Sequence, residues 1–514
     1  MNYLLKELGE GPSTKLYSAL ILAQCRADGS VSEVERLLEE MRGEGLEMDG
    51  RVAHDVLKVL SVHPDYVLRS EVLDFMRGKW FSLSEGGWHD VTAGLIREGS
   101  LEMAMQRVEE MQRSGIRVLG WLYDLLIYSL AEREEMDEVL RLLVQRVESG
   151  DTNISGTLFY HLLDVSARVL HYPLASYIWN SRVRTRYLNP SSGICLNTMI
   201  LAAREADTNL AQDVFDLLAR RDTTFESQHY EILIEAYVNA GVPENGFYIL
   251  AAMQQAGVVP TDGTTRRLAA YLSSPKASGS IIQDIFALLQ SIRGKGSPVP
   301  VAAVNVLIET ASNKRDLDLA VDLYKSIPDV CTTTTTTSGG GKGKGKGTGR
   351  PNLATYNLML RLCHRSGRKD LAMRLAGEMV QGGVVPDALT YDRMMLVCLQ
   401  VSSPSASSAS SSSPEVEVEV EPESAEPPYE DGIRYYREMR AKGFEPRFGS
   451  ALVLVRTLTR FADERVDGVL DELEGMDLPV RVGELRRWVS ANFGKRGEER
   501  EGVEALTVRG VKEG

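Results

Sequence analysis

Five helix-ending stretches of one form constrain this chain: Glu39 to Gly45, Glu109 to Gly115, Ala251 to Gly257, Gly377 to Gly383 and Arg437 to Gly443 each place a Met four residues before a Gly. Met41, Met76 and Met111 stand 35 residues apart. A fixed period of that size belongs to stacked-repeat proteins, in which one helical unit cannot bury its apolar face alone and stacks on copies of itself. Such an array grows lengthwise, each unit touching its neighbours. The 514 residues therefore need not divide into the roughly three globular domains that length alone would suggest. Function is expected on an extended surface rather than in one catalytic pocket.

The stretch from Leu353 to Asp387 shows the unit most clearly. Tyr356, Leu358, Met359, Leu362 and Cys363 follow helical spacing. Ser366-Gly367 breaks that helix, and a second runs from about Lys369 to Val380 with Leu371, Leu375 and Met379 on one stripe. Gly382-Gly383 supplies a left-handed C-terminal residue, and Pro386 prevents continuation. The spacing predicts helix, turn, helix and loop in 35 residues. Units over 14–49, 85–119, 193–226, 227–261 and 301–352 share this pattern, whereas 120–154, 156–191, 262–300 and 448–480 are found mainly by spacing. Eleven or twelve units are expected between about Thr14 and Val480.

Two segments interrupt the array. Residues 329–350 hold Thr332 to Thr337 and a Gly-Lys run, and 401–430 hold a Ser-rich run, alternating Glu and Val, and Pro427-Pro428. Neither composition can bury a core, so both are predicted to be disordered insertions in inter-helix loops. The expected organisation is a lead-in over 1–13, repeats over 14–328, the first insertion, the best-matching repeat with the first helix of the next over 351–400, the second insertion, terminal repeats over 431–480 and a charged tail over 481–514.

The net charge of −14 argues against nonspecific nucleic-acid binding, which feeds on basic surface. Seven of those charges come from the Glu residues of 401–430, so the remainder is only mildly acidic and leaves room for a local basic stripe. The five cysteines, Cys25, Cys195, Cys331, Cys363 and Cys398, form no CxxC pair and are expected to be small buried hydrophobes in a reducing compartment. Met1 to Gly11 reads neither as a signal peptide nor as an Arg-rich transit peptide. No apolar run is long enough for a membrane span. The seven His form no metal set, and there is no phosphate loop, GxSxG or HExxH. No cofactor, metal, small-molecule substrate or catalytic residue is expected.

The opening Thr355-Tyr356-Asn357, the Gly367 turn, the Glu378-Met379 helix end and the closing Gly383-Val-Val-Pro386-Asp387 resemble the pentatricopeptide repeat family. The tetratricopeptide repeat, with its 34-residue period and Leu-Gly first helix, fits less well. The resemblance implies an all-α, right-handed superhelical solenoid of helix-turn-helix repeats. It also implies single-stranded RNA as partner, read one base per unit by the residue after the opening aromatic and the last residue of the unit. Carried over, Asn357 with Asp387 matches the combination favouring uracil, Asn305 with Asn352 one favouring pyrimidines, and Ser18 with Asp49 one favouring guanine. Asn197 stands at a first position, but its unit closes near Glu226. The pairs His54 with Ser84, His89 with Leu119, Asp124 with Ile154, Glu231 with Thr261 and Asp392 with Arg447 depart from the pattern. Asn and Asp at these places also suit helix caps and turns, so capping and base recognition stand as alternatives. Arg26, Arg97, Arg204 and Arg365, near the ends of first helices, form either a phosphate stripe or a complement to helix dipoles.

The resemblance further implies a type without a C-terminal catalytic domain, since 481–514 is short, charged and lacks a zinc-deaminase signature. The expected function is non-enzymatic, sequence-selective RNA binding in RNA stabilisation, processing or translation activation, in the mitochondrion or, alternatively, the plastid. The alternative is a protein-interaction scaffold whose partners are organellar ribosome or assembly proteins. A nuclease is a third, weaker reading.

Overall fold

Each Met-to-Gly stretch closes a helix by one hydrogen-bonding device. In the computed structural model, Gly45, Gly115, Gly257, Gly383 and Gly443 all have φ between 73° and 78°. The next amide reaches back to the Met carbonyl: Leu46 to Met41 at 3.0 Å, Ile116 to Met111 at 2.8 Å, Val258 to Met253 at 2.9 Å, Val384 to Met379 at 3.0 Å and Phe444 to Met439 at 3.1 Å. This is the bond of a Schellman cap, with Met at its apolar position and the following Leu, Ile, Val or Phe at the complementary one. All five Met are buried. The spacing of four therefore records a cap geometry, and the 35-residue period records one cap per repeat.

The structure describes residues 12–148, 150, 153–221, 223–275, 277–334, 346–400, 427, 429–474 and 479–492. They form two compact bodies, 1–223 and 224–514. The first holds α1 (Thr14–Ala23), α2 (Val31–Gly43), α3 (Gly50–Val62), α4 (Tyr66–Gly78), α5 (Glu85–Glu98), α6 (Leu101–Arg113), α7 (Gly120–Glu132), α8 (Met136–Glu148), α9 (Gly156–Val169), α10 (Tyr172–Ile178, continued by a π turn over Trp179–Val183), α11 (Ser192–Arg204) and α12 (Thr208–Ala219). The odd-numbered helices are the first helices of their repeats, and each packs on the next of the series. Side-chain caps start many of them: Asp49 accepts Val52 N–H at 2.8 Å, Ser84 accepts Gly87 N–H at 3.1 Å and Asp65 starts α4 in the same way.

The second body holds α13 (Ser227–Asn239), α14 (Pro243–Ala256), α15 (Asp262–Leu272), α16 (Ile281–Gly294), α17 (Val301–Lys314), α18 (Leu317–Val330), β1 (Thr332–Thr334), β2 (Lys346–Thr348), α19 (Leu353–Ser366), α20 (Lys369–Gln381), α21 (Ala388–Leu399), α22 (Glu430–Ala441), α23 (Phe448–Arg460), α24 (Arg465–Glu474) and α25 (Pro479–Asn492). Here too α13, α15, α17, α19, α21, α23 and α25 pack in series, so each body is an all-α solenoid. Even the units found by spacing alone, 120–154 and 448–480 among them, are helix pairs. Their apolar stripes persist where the turn residues have diverged.

Three expectations need correction. Residues 329–350 are ordered at both ends. α18 runs to Val330, Thr332 exchanges bonds with Val299 at 3.0 and 3.1 Å, and β1 pairs antiparallel with β2 in the register Thr332↔Thr348. Backbone pairing and burial of Cys331 hold these ends down, and 335–345 lie outside the described residues. The second insertion ends before Tyr429, which is buried, donates its hydroxyl to Asp463 at 3.1 Å and stands beside the Glu430–Arg465 pair at 2.8 Å. Residues 401–426 lie outside the described residues. Finally, the charged tail does not begin at 481. α25 reaches Asn492 and inserts Leu485 and Val489 into the core formed by Leu454, Leu458, Leu470 and Leu473, while 493–514 lie outside the described residues. Leu485 and Val489, one turn apart, are the side chains that anchor this helix.

The α4 ending makes a test of the cap. Phe81 N–H bonds Met76 C=O at 2.8 Å as in the other repeats, but the left-handed position holds Trp80 at φ 59°. Trp80 is 93% exposed, so its ring repays none of the strain. Left-handed backbone costs an ordinary residue about 1–2 kcal/mol, and glycine gives back about half through its freer unfolded chain. Trp80→Gly is expected to stabilise the first body by about 0.5–1 kcal/mol, read as a higher midpoint in chemical denaturation.

Candidate nucleic-acid interface

The fifth residue of each first helix points toward the N-terminus of the next first helix. The last residue of most repeats is that helix's N-cap, the exception being Ile154, which precedes the cap Ser155. These two positions therefore meet in space although the chain separates them by a whole second helix. Asn357, fifth in α19, donates Nδ2–H to Asp387 Oδ1 at 3.2 Å. Asp387 Oδ1 also accepts Thr390 N–H at 2.8 Å as the cap of α21. The Thr390 hydroxyl lies 2.7 Å from that oxygen and 3.1 Å from Asn357 Oδ1, sharing its one proton between them. One repeat earlier, Asn305 donates to Asn352 Oδ1 at 3.2 Å, Asn352 accepts Thr355 N–H at 3.0 Å, and Thr355 Oγ1 lies 2.8 Å from Asn305 Oδ1. The same three-residue network is built twice.

Burial pushes the Asp387 carboxyl up, but the Thr390 and Asn357 donors outweigh it and hold the group below the usual carboxylate range. It is thus charged at neutral pH, and its capping bonds persist. The capping side chain therefore also holds the fifth residue of the preceding first helix. Asn357 and Asn305 spend one amide N–H each on the cap residue, and an amide carries two.

The off-pattern pairs are also brought together, with different chemistry. His54 Nε2 accepts Ser84 N–H at 2.9 Å, and His89 Nε2 accepts Leu119 N–H at 3.1 Å. Each ring's Nδ1 faces a backbone carbonyl of its own helix, Gly50 or Glu85. Glu231 accepts the Thr261 hydroxyl at 2.6 Å, and Asp392 accepts Arg447 N–H at 3.4 Å. Asp124 is bound instead by the buried Arg146, which also donates to Asn153 C=O next to Ile154. Ser18 is buried and donates to Asp55 of α3, while Asp49 caps α3 through Val52. Ser18 is thus held by Asp55 rather than by the cap residue Asp49. In α11 the fifth residue is Leu196, and Asn197 falls one place later, half-buried. Glu226 is the N-cap of α13, its amide donating to His229 Nδ1 at 3.2 Å.

The four arginines expected to meet phosphates are exposed but do not form one uniform set. Arg97 and Arg365 donate to the Ser61 and Ser312 carbonyls near the C-termini of α3 and α17, the second at 3.3 Å. Both carbonyls stand in the last turn of their helices, and that of Ser312 also accepts the Arg315 amide at 3.2 Å, so these two arginines add side-chain bonds between repeats at helix C-termini. Arg204 is the last residue of α11, and Arg26 lies beyond α1, which ends at Ala23. Arg365 stands about 12 Å along the helix from Asn357.

A nearer set of cations was not recognised from sequence. The fifth residues Arg266, Asn305 and Asn357, with the caps Thr261, Asn352 and Asp387, line one groove of about 580 Å³ together with Arg361 and Arg393. Arg361 sits one turn after Asn357 and bonds Asn313 at 3.3 Å, with Glu309 at 3.7 Å. Among the described residues its buried Nε meets no acceptor. Arg393 donates to Asn357 C=O. Burial pushes the Arg393 guanidinium down to about 10, and the neighbouring Arg361 and Arg447 add to that shift. Three guanidiniums share the groove with amides and with the carboxylates of Asp262, Glu309 and Asp387, a set of donors and acceptors that suits a strand bearing both phosphates and hydrogen-bonding edges. The helical spacing of Arg361 from Asn357 was the available signal; the placement of Arg266 and Arg393 required the stack.

Among the described residues, no helix is long and apolar enough to cross a membrane, and no group of three His, Cys, Asp or Glu is placed to hold a metal.

Comparison with known proteins matches two stretches of the chain. Residues 192–327 match the family model "Pentatricopeptide repeat-containing protein", and 351–399 match "PPR repeat family". A mitochondrial pentatricopeptide repeat-containing protein of Arabidopsis thaliana is 23% identical over 269 residues, covering 51% of this chain and 43% of the relative. A chloroplastic one from the same plant is 21% identical over 272 residues, 53% of this chain and 31% of the relative. The matches thus span less than half of either relative's length. Among solved structures, the chain is similar to the pentatricopeptide repeat protein PPR10 from maize, at 16% identity, 94% and 71% coverage of the two chains and a TM-score of 0.32. It is likewise similar to PPR10 in complex with an 18-nt psaJ RNA element, at 17% identity, 98% and 71% coverage and a TM-score of 0.34. With its recurrent caps and stacked helix pairs, the chain carries pentatricopeptide repeats over the matched residues 192–327 and 351–399.

Proposed function

We propose that this protein binds single-stranded RNA without catalysis and with base selectivity, acting in the stabilisation, processing or translation activation of transcripts in a mitochondrion or plastid. The observation that carries it is the groove lined by the Asn and cap residues of two such networks, Asn305 with Asn352 and Asn357 with Asp387, together with Arg266, Arg361 and Arg393. Amide and carboxylate edges can meet the Watson–Crick edge of an unpaired base, and the guanidiniums can meet its phosphates. The organellar setting is supported by the mitochondrial and chloroplastic relatives.

Asp387→Asn tests the reading without removing the cap, since Asn and Asp cap helices about equally well. It converts the Asn357–Asp387 pair to the Asn–Asn form of the preceding repeat. Selection of bound sequences from a random RNA pool is expected to relax from uracil toward both pyrimidines at one nucleotide only, by about 1 kcal/mol per hydrogen bond exchanged. A uniform loss across all positions would count against base reading. Failure of the parent protein to retain any RNA at low salt would sink the proposal and leave the protein scaffold.

A further inference from the structure

Among its described residues the first body holds no Asn–cap–Thr network, and the fifth-position side chains of α5 and α7 are spent internally: His89 on the Leu119 amide and Asp124 on Arg146. What this body presents instead is aromatic. On α7, Trp121 and Tyr128 are seven residues apart, on one helical face, and each is 46% exposed. Tyr128 stacks on His161 of α9 at 4.5 Å between ring centroids, and Trp121 stands 6.0 Å from the buried His89 of α5. These rings therefore run across three successive first helices. Trp121, Tyr128 and His161 line a groove of about 390 Å³, with Leu125 between them and Arg97 among its walls.

We propose that this surface is a stacking platform that holds unpaired nucleobases of single-stranded RNA without distinguishing among them. The inference rests on the RNA-binding reading above and assigns the two bodies different tasks, anchoring in the first and selection in the second. Exposed aromatic side chains adjoining one another on a repeat surface are unusual for a free monomer face. Every base has a π-face, so rings select single strands over duplex but not one base over another. Tyr128 is already held by His161 and Trp121 is braced at His89, so less motion is lost when a base arrives. Arg97 supplies charge complementary to the strand's phosphates, while the carboxylate among the groove walls, Asp124, is neutralised by Arg146.

The test uses the full chain and twelve-nucleotide homopolymers of U, A and C, with affinity measured by fluorescence anisotropy across a salt series. Trp121→Ala with Tyr128→Ala is expected to weaken binding to all three by a similar factor, about tenfold for each ring removed. The slope of affinity against salt should remain that of the parent, since every cation facing the strand is retained. Trp121→Phe with Tyr128→Phe should restore most of the affinity. Both residues are exposed, so circular dichroism and the denaturation midpoint should match the parent. Unchanged RNA affinity in the alanine double variant overturns the platform while leaving the Asp387→Asn result to decide the selective groove. Loss of a co-purifying protein instead of RNA also overturns it, and marks the patch as a protein-docking face. A parent that binds none of the homopolymers and no RNA pool removes the RNA reading and the platform together.

Discussion

Replacing Arg361 and Arg393 together by Gln is expected to weaken RNA binding about a hundredfold, equally for every sequence. Each guanidinium–phosphate hydrogen bond contributes about 1.5–3 kcal/mol, or roughly one to two orders of magnitude in affinity. The loss is uniform because phosphates carry no sequence information. The logarithmic salt slope should fall by about 0.7 for each phosphate left without its guanidinium, hence about 1.4 for the pair. The physical warrant is the state of the two groups in the free protein. Arg393 is half-buried beside Arg361 and Arg447, which oppose its charge, and Arg361 keeps a buried Nε that meets no acceptor among the described residues. An anion between them relieves both. Gln retains a donor for the Asn357 carbonyl that Arg393 now serves, so the packing of α19 on α21 should survive. Selectivity that changed at one base, with the salt slope intact, would show these side chains to be readers of the base rather than holders of phosphate.

The largest effect on stability is expected in the first body, at Arg69→Met. Arg69 of α4 pairs with Glu98 at the end of α5, and both side chains are largely withdrawn from water, 6% and 13% exposed. Breaking such a pair from one side leaves an uncompensated buried carboxylate, a cost of about 3–5 kcal/mol. The double change Arg69→Met with Glu98→Leu should recover most of that loss, because no buried charge remains. Urea unfolding followed by far-UV circular dichroism measures both. In a stacked array the damage should centre on the neighbouring repeats, so hydrogen exchange should rise first in α4 and α5. A single variant as stable as the parent would mean that Glu98 finds water when Arg69 is gone.

The array was legible from sequence because its information is local. Met at one cap position and Gly at the next left-handed position lie four residues apart, and hydrogen bonds reaching back five residues to the Met carbonyl fix where each second helix stops. The same local reading failed where chemistry and position compete. Trp80 occupies the left-handed site of α4 with no glycine to announce it. Cys331, Thr332, Tyr429 and α25 belong to the folded structure although their neighbours in sequence are low-complexity or charged. Their burial depends on partners far along the chain, Val299 for Thr332 and Asp463 for Tyr429.

The candidate site divides in the same way. Residue types at the fifth and last positions could be read directly, because the repeat numbers them. Which atoms they offer could not, because each pair is made by a first helix and the cap of the next. Asn357 reaches Asp387 only after α20 has returned the chain to its neighbour's N-terminus, whereas Ser18, with its shorter side chain, turns to Asp55. The amino-acid sequence by itself determined the period, the caps and the helix pairs, all set by bonds within a few residues. Tertiary stacking alone decided that Arg266, Arg361 and Arg393 share a groove, that Trp121 and Tyr128 stay exposed on one face of α7, and that Asp387 caps a helix and faces the groove at once. Those outcomes depend on how one repeat is laid against the next.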